Sequence, residues 1–194
     1  MSATAYRIST MTYVCKFAEV IDTKAFYETN IDKVIDSELY IENKQKKLNK
    51  KGMPVKSFGN QITIKSLAKK YNIKLFSNGK IQMTGIKSSA DAQHIENKLR
   101  FIFETDIIDM EMAMMNVTFK ITEKPIHLYH LFDVLAVQDL VVYYTPEIYP
   151  GLKLKYNKST AMLFATGSII ISTKDETDIA IITRILVENF LKIQ

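Results

Sequence analysis

The chain has 194 residues, of which 47% are hydrophobic, and a formal net charge of +5 at pH 7. It has no run of 18 apolar residues that would predict a membrane helix, and its first residues lack the apolar core of a signal peptide. A single cysteine, Cys15, excludes an internal disulfide and a cysteine-based zinc site. These features predict an intracellular protein without a membrane partner.

Positive charge is concentrated in the first half of the chain. Residues 1–106 carry a net charge of +7, whereas residues 107–194 carry −2. This gradient favours binding of a polyanion through the first half, although a solvated lysine-rich surface explains the composition equally well.

The sequence of the first half predicts strands and helices, with one basic loop between them. The expected strands are Tyr6–Phe17, Phe58–Lys65, Ile73–Ser77 and Lys80–Ile86, and the expected helices are Asp22–Thr29 and Ser88–Phe103. Asp22 and Ser88 are the expected N-caps. Residues 30–42 fit either helix or strand. Residues 43–56 hold six lysines and predict a surface loop that adds non-specific affinity for DNA or is simply solvated.

The second half follows the same plan. The sequence predicts an extended segment at Ile107–Ile121, a helix from Pro125 to Ala136 with Thr122 as cap, and a strand at Val137–Tyr144. The stretch Tyr143–Thr173 then reads as strands separated by tight turns. The last helix is expected to start at Thr173-x-x-Glu176, and its apolar face is expected to consist of Ile179, Ile182, Leu186 and Phe190.

Two stretches of the chain are closely similar. Lys74–Lys87 (KLFSNGKIQMTGIK) matches Met162–Lys174 (MLFATGSIIISTK), with a phenylalanine and a glycine repeated at a spacing of 88 residues. Each is followed by a helical pattern of similar length. The sequence therefore predicts two tandem repeats, 1–106 with a basic insertion at about 43–56, and 107–194.

Antiparallel strands followed by helices predict an α+β layer with helices on one side of the sheet. The strands place apolar residues at alternate and at adjacent positions, which we interpret as apolar side chains on both faces. Monomers seldom expose a large apolar patch, so an uncovered face of this kind predicts a ligand.

The motifs YTPEIYPGL, LFATGS and LFSNGKIQMTGIK, together with ISTMTYVCKF near the start, resemble the core of the TATA-box-binding protein family. The resemblance covers nearly the whole chain except residues 30–56. It implies a pseudo-twofold saddle of two repeats, with a curved antiparallel sheet and helices on the convex face. The concave sheet of such a saddle lies on a widened DNA minor groove.

In that family, two aromatic residues in each repeat wedge between base pairs at the outer steps of the site. The matching positions here are Phe58, Phe76, Tyr149 and Phe164. Tyr149 replaces a phenylalanine, which keeps the flat ring and adds a hydroxyl group. The alternative interpretation of these four residues is that they are ordinary core aromatics.

The resemblance also implies a groove-contacting floor and a set of phosphate-binding lysines. The floor positions are Ile8, Ile81, Met83, Thr84, Met112, Ile169, Ile171 and Ser172, and the lysines are Lys65, Lys69, Lys70, Lys80 and Lys155. Minor-groove readout distinguishes mainly A·T from G·C pairs, so a preference for A+T-rich DNA is expected.

Some positions depart from the family pattern. Tyr6 and Met110 stand where the family has asparagines that read the central base pairs, and Asn116 lies six residues after Met110. Glu147 and Ile148 match residues that contact transcription factor IIB. The resemblance implies partners that include IIB-like and IIA-like factors and the RNA polymerase machinery.

The implied function is that of a general transcription initiation factor, which binds and bends A+T-rich promoter DNA and nucleates the preinitiation complex. The alternative is a saddle-fold scaffold in a transcription complex that has lost specific DNA bending. The expected location is the nucleus, or a viral factory if the source is a large DNA virus. The sequence contains no P-loop, dinucleotide fingerprint or nucleophile elbow, so we expect neither an enzyme nor a cofactor.

Overall fold

The computed structural model describes residues 6–30, 34–36, 38–42, 61–68 and 71–193. The chain forms two compact units. The first unit is Met11–Ala113, and the second unit combines Met1–Thr10 with Met114–Gln194. The N-terminal strand therefore contributes to both units. Whether 1–106 and 107–194 are related as repeats stays a prediction.

The first unit contains an antiparallel sheet and two helices. Its strands are β1 (Arg7–Phe17, which begins in the second unit), β2 (Val34–Asp36), β3 (Leu39–Ile41), β4 (Gln61–Ser66), β5 (Asn72–Phe76) and β6 (Lys80–Ile86), and its helices are α1 (Thr23–Asn30) and α2 (Ser89–Phe103). The strand order is β2-β3-β4-β5-β6-β1. Residues 30–42, which the sequence left open, include the two short strands β2 and β3.

The second unit has the same kinds of element. They are β7 (Ile107–Lys120, which begins in the first unit), α3 (Leu128–Ala136), β8 (Val141–Tyr143), β9 (Leu152–Tyr156), β10 (Ser159–Leu163), β11 (Ser168–Thr173) and α4 (Glu176–Leu191). The strand order is β7-β11-β10-β9-β8, with every neighbouring pair antiparallel.

The two glycine turns predicted from the repeat are confirmed. Gly79 and Gly167 both have φ near +79°, a conformation that side chains with a Cβ rarely adopt. The amide of Gly79 donates to the carbonyl of Phe76 at 3.0 Å, and the amide of Gly167 donates to that of Phe164 at 2.9 Å. Each turn therefore joins two antiparallel strands at the expected place.

Two of the four helix starts agree with the sequence prediction. Asp22 accepts the amides of Lys24 and Ala25, and Ser88 accepts the amide of Asp91. The prediction was wrong for α4, which is capped by the side chain of Asp175 because Thr173 is the buried last residue of β11.

The third helix begins later than predicted. Residues 125–127 are not helical, and α3 starts at Leu128 with no side-chain cap. The helix ends at Ala136 as expected, but Val137 to Asp139 form a turn, which shortens the following strand to Val141–Tyr143.

Each unit buries an apolar layer between its sheet and a long helix. In the first unit, Leu75, Ile81 and Met83 pack on the side covered by α2, and all are at most 1% exposed. In the second unit the buried residues of α4 include the predicted face, Ile179, Ile182, Leu186 and Phe190. Burial of this layer leaves the opposite side of each sheet open.

Candidate nucleic-acid interface

The open side of each sheet carries every second residue of its strands. In β6, Ile81 and Met83 are buried, whereas Gln82 and Thr84 between them are half-buried and lie on the other face. In β11, Ile169 and Ile171 are fully buried, whereas Ile170 is 36% exposed and Ser172 is half-buried. We call these outward sides the open faces.

This alternation corrects part of the predicted floor. Ile81, Met83, Ile169 and Ile171 pack under the helices and cannot contact a ligand on the open face. The expectation of apolar side chains on both faces is correct for Ile170, which lies on the open face, and wrong for Leu75 and Leu163, which lie on the buried face. Leu75 lies directly opposite Ile81 in the β5–β6 register, so the two side chains share the buried face.

The other predicted floor residues are not buried. Thr84 and Ser172 lie on the open faces, and Ile8 and Met112 are half-buried on β1 and β7. These four positions remain available to a ligand.

The open face of the first unit is polar and basic. Its side chains on β4, β5 and β6 include Lys65, Asn72, Lys74, Lys80, Gln82 and Thr84. On the adjacent β1, Val14 pairs with Gln82, and Lys16 pairs with Lys80. No acidic side chain lies at the outward positions of β4 to β6, so this face attracts anions.

The open face of the second unit mixes lysines with small polar and apolar groups. Its outward side chains are Thr118, Lys120, Lys153, Lys155, Thr160, Met162, Ser168, Ile170 and Ser172. The outward positions of β9, β10 and β11 also carry no acidic group. The Lys155 ammonium lies 5.7 Å from the centre of the Tyr143 ring, which helps to hold the charge at this surface.

Asn116 forms a hydrogen-bonded cluster on the second open face. Its side-chain amide donates to the Thr10 hydroxyl at 3.0 Å, and its carbonyl oxygen accepts from the Ser172 hydroxyl at 2.6 Å. No role is predicted for Asn116 from the sequence, because the family asparagine aligns with Met110. A sequence signal for it exists, since Ile8–Phe17 (ISTMTYVCKF) can be aligned with Met112–Ile121 (MAMMNVTFKI) at a spacing of 104. This alignment places Asn116 at the position of Thr12, and Asn116 pairs with Ser172 in the β7–β11 register.

Three of the four predicted wedge aromatics lie in described parts of the chain, and Phe58 lies outside them. Tyr149 and Phe164 form one pair in the second unit, with ring centroids 6.1 Å apart at an angle of 61°. A Cβ on Gly151 would lie 2.8 Å from the Tyr149 ring, so this glycine makes room for the pair. Phe76 ends β5 on the open face, opposite Gln61.

The predicted phosphate lysines have different surroundings. Lys65 forms a 2.8 Å ion pair with Glu42, and its hydrogen bond to that carboxylate raises the pKa of Lys65. Lys80 and Lys155 are exposed. Lys69 and Lys70 lie outside the described residues. Lys80 and Lys155 are therefore the better-placed cations for a phosphate.

The loop that follows β8 exposes both predicted partner-binding residues. Ile148 is 84% exposed, and Glu147 beside it is also exposed. The amides of Ile148 and Tyr149 both donate to the carbonyl of Thr145 at 3.0 Å, which fixes the turn.

Other candidate chemistry is sparse in the described part of the chain. The rings of His127 and His130 stack with centroids 4.1 Å apart, but no group of three His, Cys, Asp or Glu residues that could hold a metal ion occurs among the described residues. Burial, together with the nearby Glu96 carboxylate, raises the pKa of the Cys15 thiol to about 12. No described helix is long and apolar enough to cross a membrane.

Comparison with known proteins supports the family suggested by the motifs. No family profile matches the chain. A TATA-box-binding protein-like protein of Acanthamoeba polyphaga mimivirus is 28% identical over 218 aligned residues. The alignment covers 86% of this chain, which spans 59% of the length of that relative.

The fold matches a solved structure. The TBP of Methanococcus jannaschii superposes with a TM-score of 0.67 at 18% sequence identity, over 97% of this chain and 99% of that chain. The predicted α+β fold class is therefore confirmed. The chain is therefore similar in sequence to the TATA-box-binding protein-like protein of the mimivirus and similar in fold to the archaeal TBP.

Proposed function

We propose that this protein is a transcription initiation factor that binds A+T-rich duplex DNA through the minor groove and bends it. The observation that carries the proposal is the chemistry of the two open faces. Each combines lysines with hydroxyl and amide groups, and each has an aromatic residue of the repeated LF-x-x-G motif at a strand end, Phe76 or Phe164. Each unit then contacts one half of the DNA site.

The aromatic residues supply the bending. Partial unstacking of a base step costs a few kcal/mol, and insertion of a large ring offsets that cost by stacking and by excluding water. Phe76 and Phe164 are half-buried, and Tyr149 is 44% exposed, so all three rings offer surface for such contact.

The lysines supply sequence-independent affinity. Each lysine that neutralises a phosphate releases counterions, which makes binding weaker as salt rises. Lys80 and Lys155 are exposed and suited to this role, whereas Lys65 must first break its ion pair with Glu42. We expect Lys155→Ala to weaken binding to all sequences and to reduce the salt dependence by about one phosphate contact.

The exposed turn at Glu147 and Ile148 is the surface that we assign to a transcription factor IIB-like partner. IIA-like factors and the polymerase machinery are further proposed partners in preinitiation complex assembly. Such a role places the protein in the nucleus or in a viral factory.

The test measures binding and bending together. A duplex labelled at both ends with a fluorescence-transfer pair carries TATAAA or a G+C-rich control, and protein is titrated over a salt series. We expect a shortened end-to-end distance for the A+T-rich duplex alone. Phe76→Ala and Phe164→Ala should lose the shortening, whereas Phe101→Ala, on the 84% exposed aromatic of α2, should keep it.

Circular dichroism of each variant confirms that the fold is intact. Normal bending by the Phe76→Ala, Phe164→Ala double variant would refute the wedge assignment. Weak binding to both duplexes without bending would instead favour the scaffold function.

A further inference from the structure

The open faces of the two units differ at positions that correspond in register. Gln82 lies between Val14 and Lys74 on the neighbouring strands, and Ile170 lies in the same way between Thr118 and Met162. The first unit thus presents glutamine and lysine where the second presents isoleucine and methionine.

The side-chain amide of Gln82 makes no hydrogen bond or ion pair with another described residue, and Gln82 is half-buried. The hydroxyl group two residues further along each strand is already paired, since Thr84 donates to the Asn72 carbonyl in the first unit and Ser172 donates to Asn116 in the second. Gln82 therefore presents, on the first open face, a donor and an acceptor that no described residue satisfies.

These differences bear on how each unit discriminates between A·T and G·C pairs in the minor groove. A·T pairs show only acceptors in the minor groove, whereas a G·C pair adds the N2 amino group of guanine as a donor. The carbonyl oxygen of a glutamine side chain accepts from that amino group. Ile170 and Met162 cannot do so, and an amino group buried against them loses its hydrogen bond to water.

We propose that Gln82 is a specificity-determining residue, which lets the first unit accept a G·C pair in its half of the DNA site. The second unit, with Ile170 at the corresponding position, requires A·T. The asymmetry also fixes the direction in which the protein lies on DNA. This inference rests on the proposed minor-groove function.

The test starts from a palindromic A+T-rich duplex and places one G·C pair on one side only, or one on each side at symmetric positions, scanned outward from the centre; the one-pair duplex is annealed from two different strands. At the position that faces Gln82, we expect one G·C pair to change the Kd by less than about twofold. The protein can bind this duplex in two orientations, and it takes the one that places Gln82 over the G·C pair. A second, symmetric pair must face Ile170 and should raise the Kd roughly tenfold.

Matched variants exchange the two side chains. Gln82→Ile should make the first G·C pair as costly as the second, and Ile170→Gln should make the second pair tolerated. Replacing guanine with inosine, which lacks the N2 amino group, should remove the cost in every protein. Circular dichroism controls for folding, and each penalty is calculated relative to the Kd of the same variant for the all-A·T duplex.

Equal penalties for the first and second pair in the unsubstituted protein, or penalties unchanged by Gln82→Ile, would overturn the inference. Equal penalties for guanine and inosine would also overturn it. Failure to bind the all-A·T duplex would refute the proposed function itself, so the two failures are distinguishable.

Discussion

The two units have the same chemistry on their buried faces and different chemistry on their open faces. Leu75, Ile81 and Met83 of the first unit correspond to Leu163, Ile169 and Ile171 of the second, and all six are at most 1% exposed. At the positions between them, Lys74 and Gln82 correspond to Met162 and Ile170.

This contrast shows where two units with the same kinds of element can differ. A buried position must remain apolar, because an unpaired polar group there costs several kcal/mol. An open position carries no such penalty, so the two units can differ there without loss of the fold. The open faces are therefore the part of the molecule where specificity can change.

Substitutions on the buried faces should reduce the stability of the protein most. Ile171→Ala and Met83→Ala should each lower the free energy of unfolding by roughly 2–5 kcal/mol, because both side chains are 0% exposed and leave a cavity. Ile170→Ala, next in sequence but 36% exposed, should cost less than about 1 kcal/mol. Urea denaturation measures all three, and similar losses for Ile170 and Ile171 would contradict the assignment of faces.

The two glycine turns have the same backbone conformation but different surroundings. Gly167→Ala should cost about 3 kcal/mol, because the new Cβ would lie 2.2 Å from the Thr122 carbonyl oxygen in addition to the strain of a positive φ. Gly79→Ala has the same φ with no atom within 4 Å, so only the strain of about 1 kcal/mol remains. Thermal unfolding of the two variants side by side checks the difference, and equal shifts would show that contact with Thr122 has no effect.

In each unit a carboxylate on the long helix accepts a hydrogen bond from a residue at the sheet, and the donor differs between the two units. Ser159 donates to the buried Asp178 at 2.6 Å, and Tyr71 donates to Asp91 at 2.6 Å. We expect Ser159→Ala to cost about 2 kcal/mol, since it removes a partner from a buried charge, and Tyr71→Phe about 1 kcal/mol. Denaturant titration gives both values, and a larger loss for Tyr71→Phe would reverse the ranking.

The last prediction concerns Cys15 of the first unit, whose effect is confined to alkaline pH. Its folded-state pKa of about 12 lies above the ordinary value of 9.0, so the folded protein retains the thiol proton while the unfolded chain loses it. Stability from this group is complete below pH 9 and falls as the pH rises toward 12, by about 1.4 kcal/mol per pH unit. Cys15→Ala should remove that part of the slope, and parallel slopes for the two proteins would contradict the assignment.

Much of the fold was predictable from local signals. The turns at Gly79 and Gly167 and the caps Asp22 and Ser88 depend on neighbouring residues and were all correct. The start of α3 was misplaced by three residues, because Pro125 is only compatible with a helix start and does not require one.

The sequence predicted which types of residue form the candidate site, but not which face of the sheet each residue occupies. The LF-x-x-G motifs located Phe76 and Phe164 at strand ends beside turns, as observed. Four of the eight floor residues were assigned to the wrong face. For β6 the alternation Ile-Gln-Met-Thr already indicated that Gln82 and Thr84 lie outward, but Ile169-Ile170-Ile171 gives no such signal, because all three side chains are apolar.

The order of elements, the two-part plan and the aromatic and basic character of the open faces were all predictable, because they depend on residue type and short-range spacing. The burial of individual isoleucines in β11, the hydrogen bonds that join Asn116 to Thr10 and Ser172, and the ion pair of Glu42 with Lys65 could be seen only in the folded chain. Each of those outcomes depends on strand register and on residues distant in sequence, and a one-residue change of register would move every side chain to the opposite face.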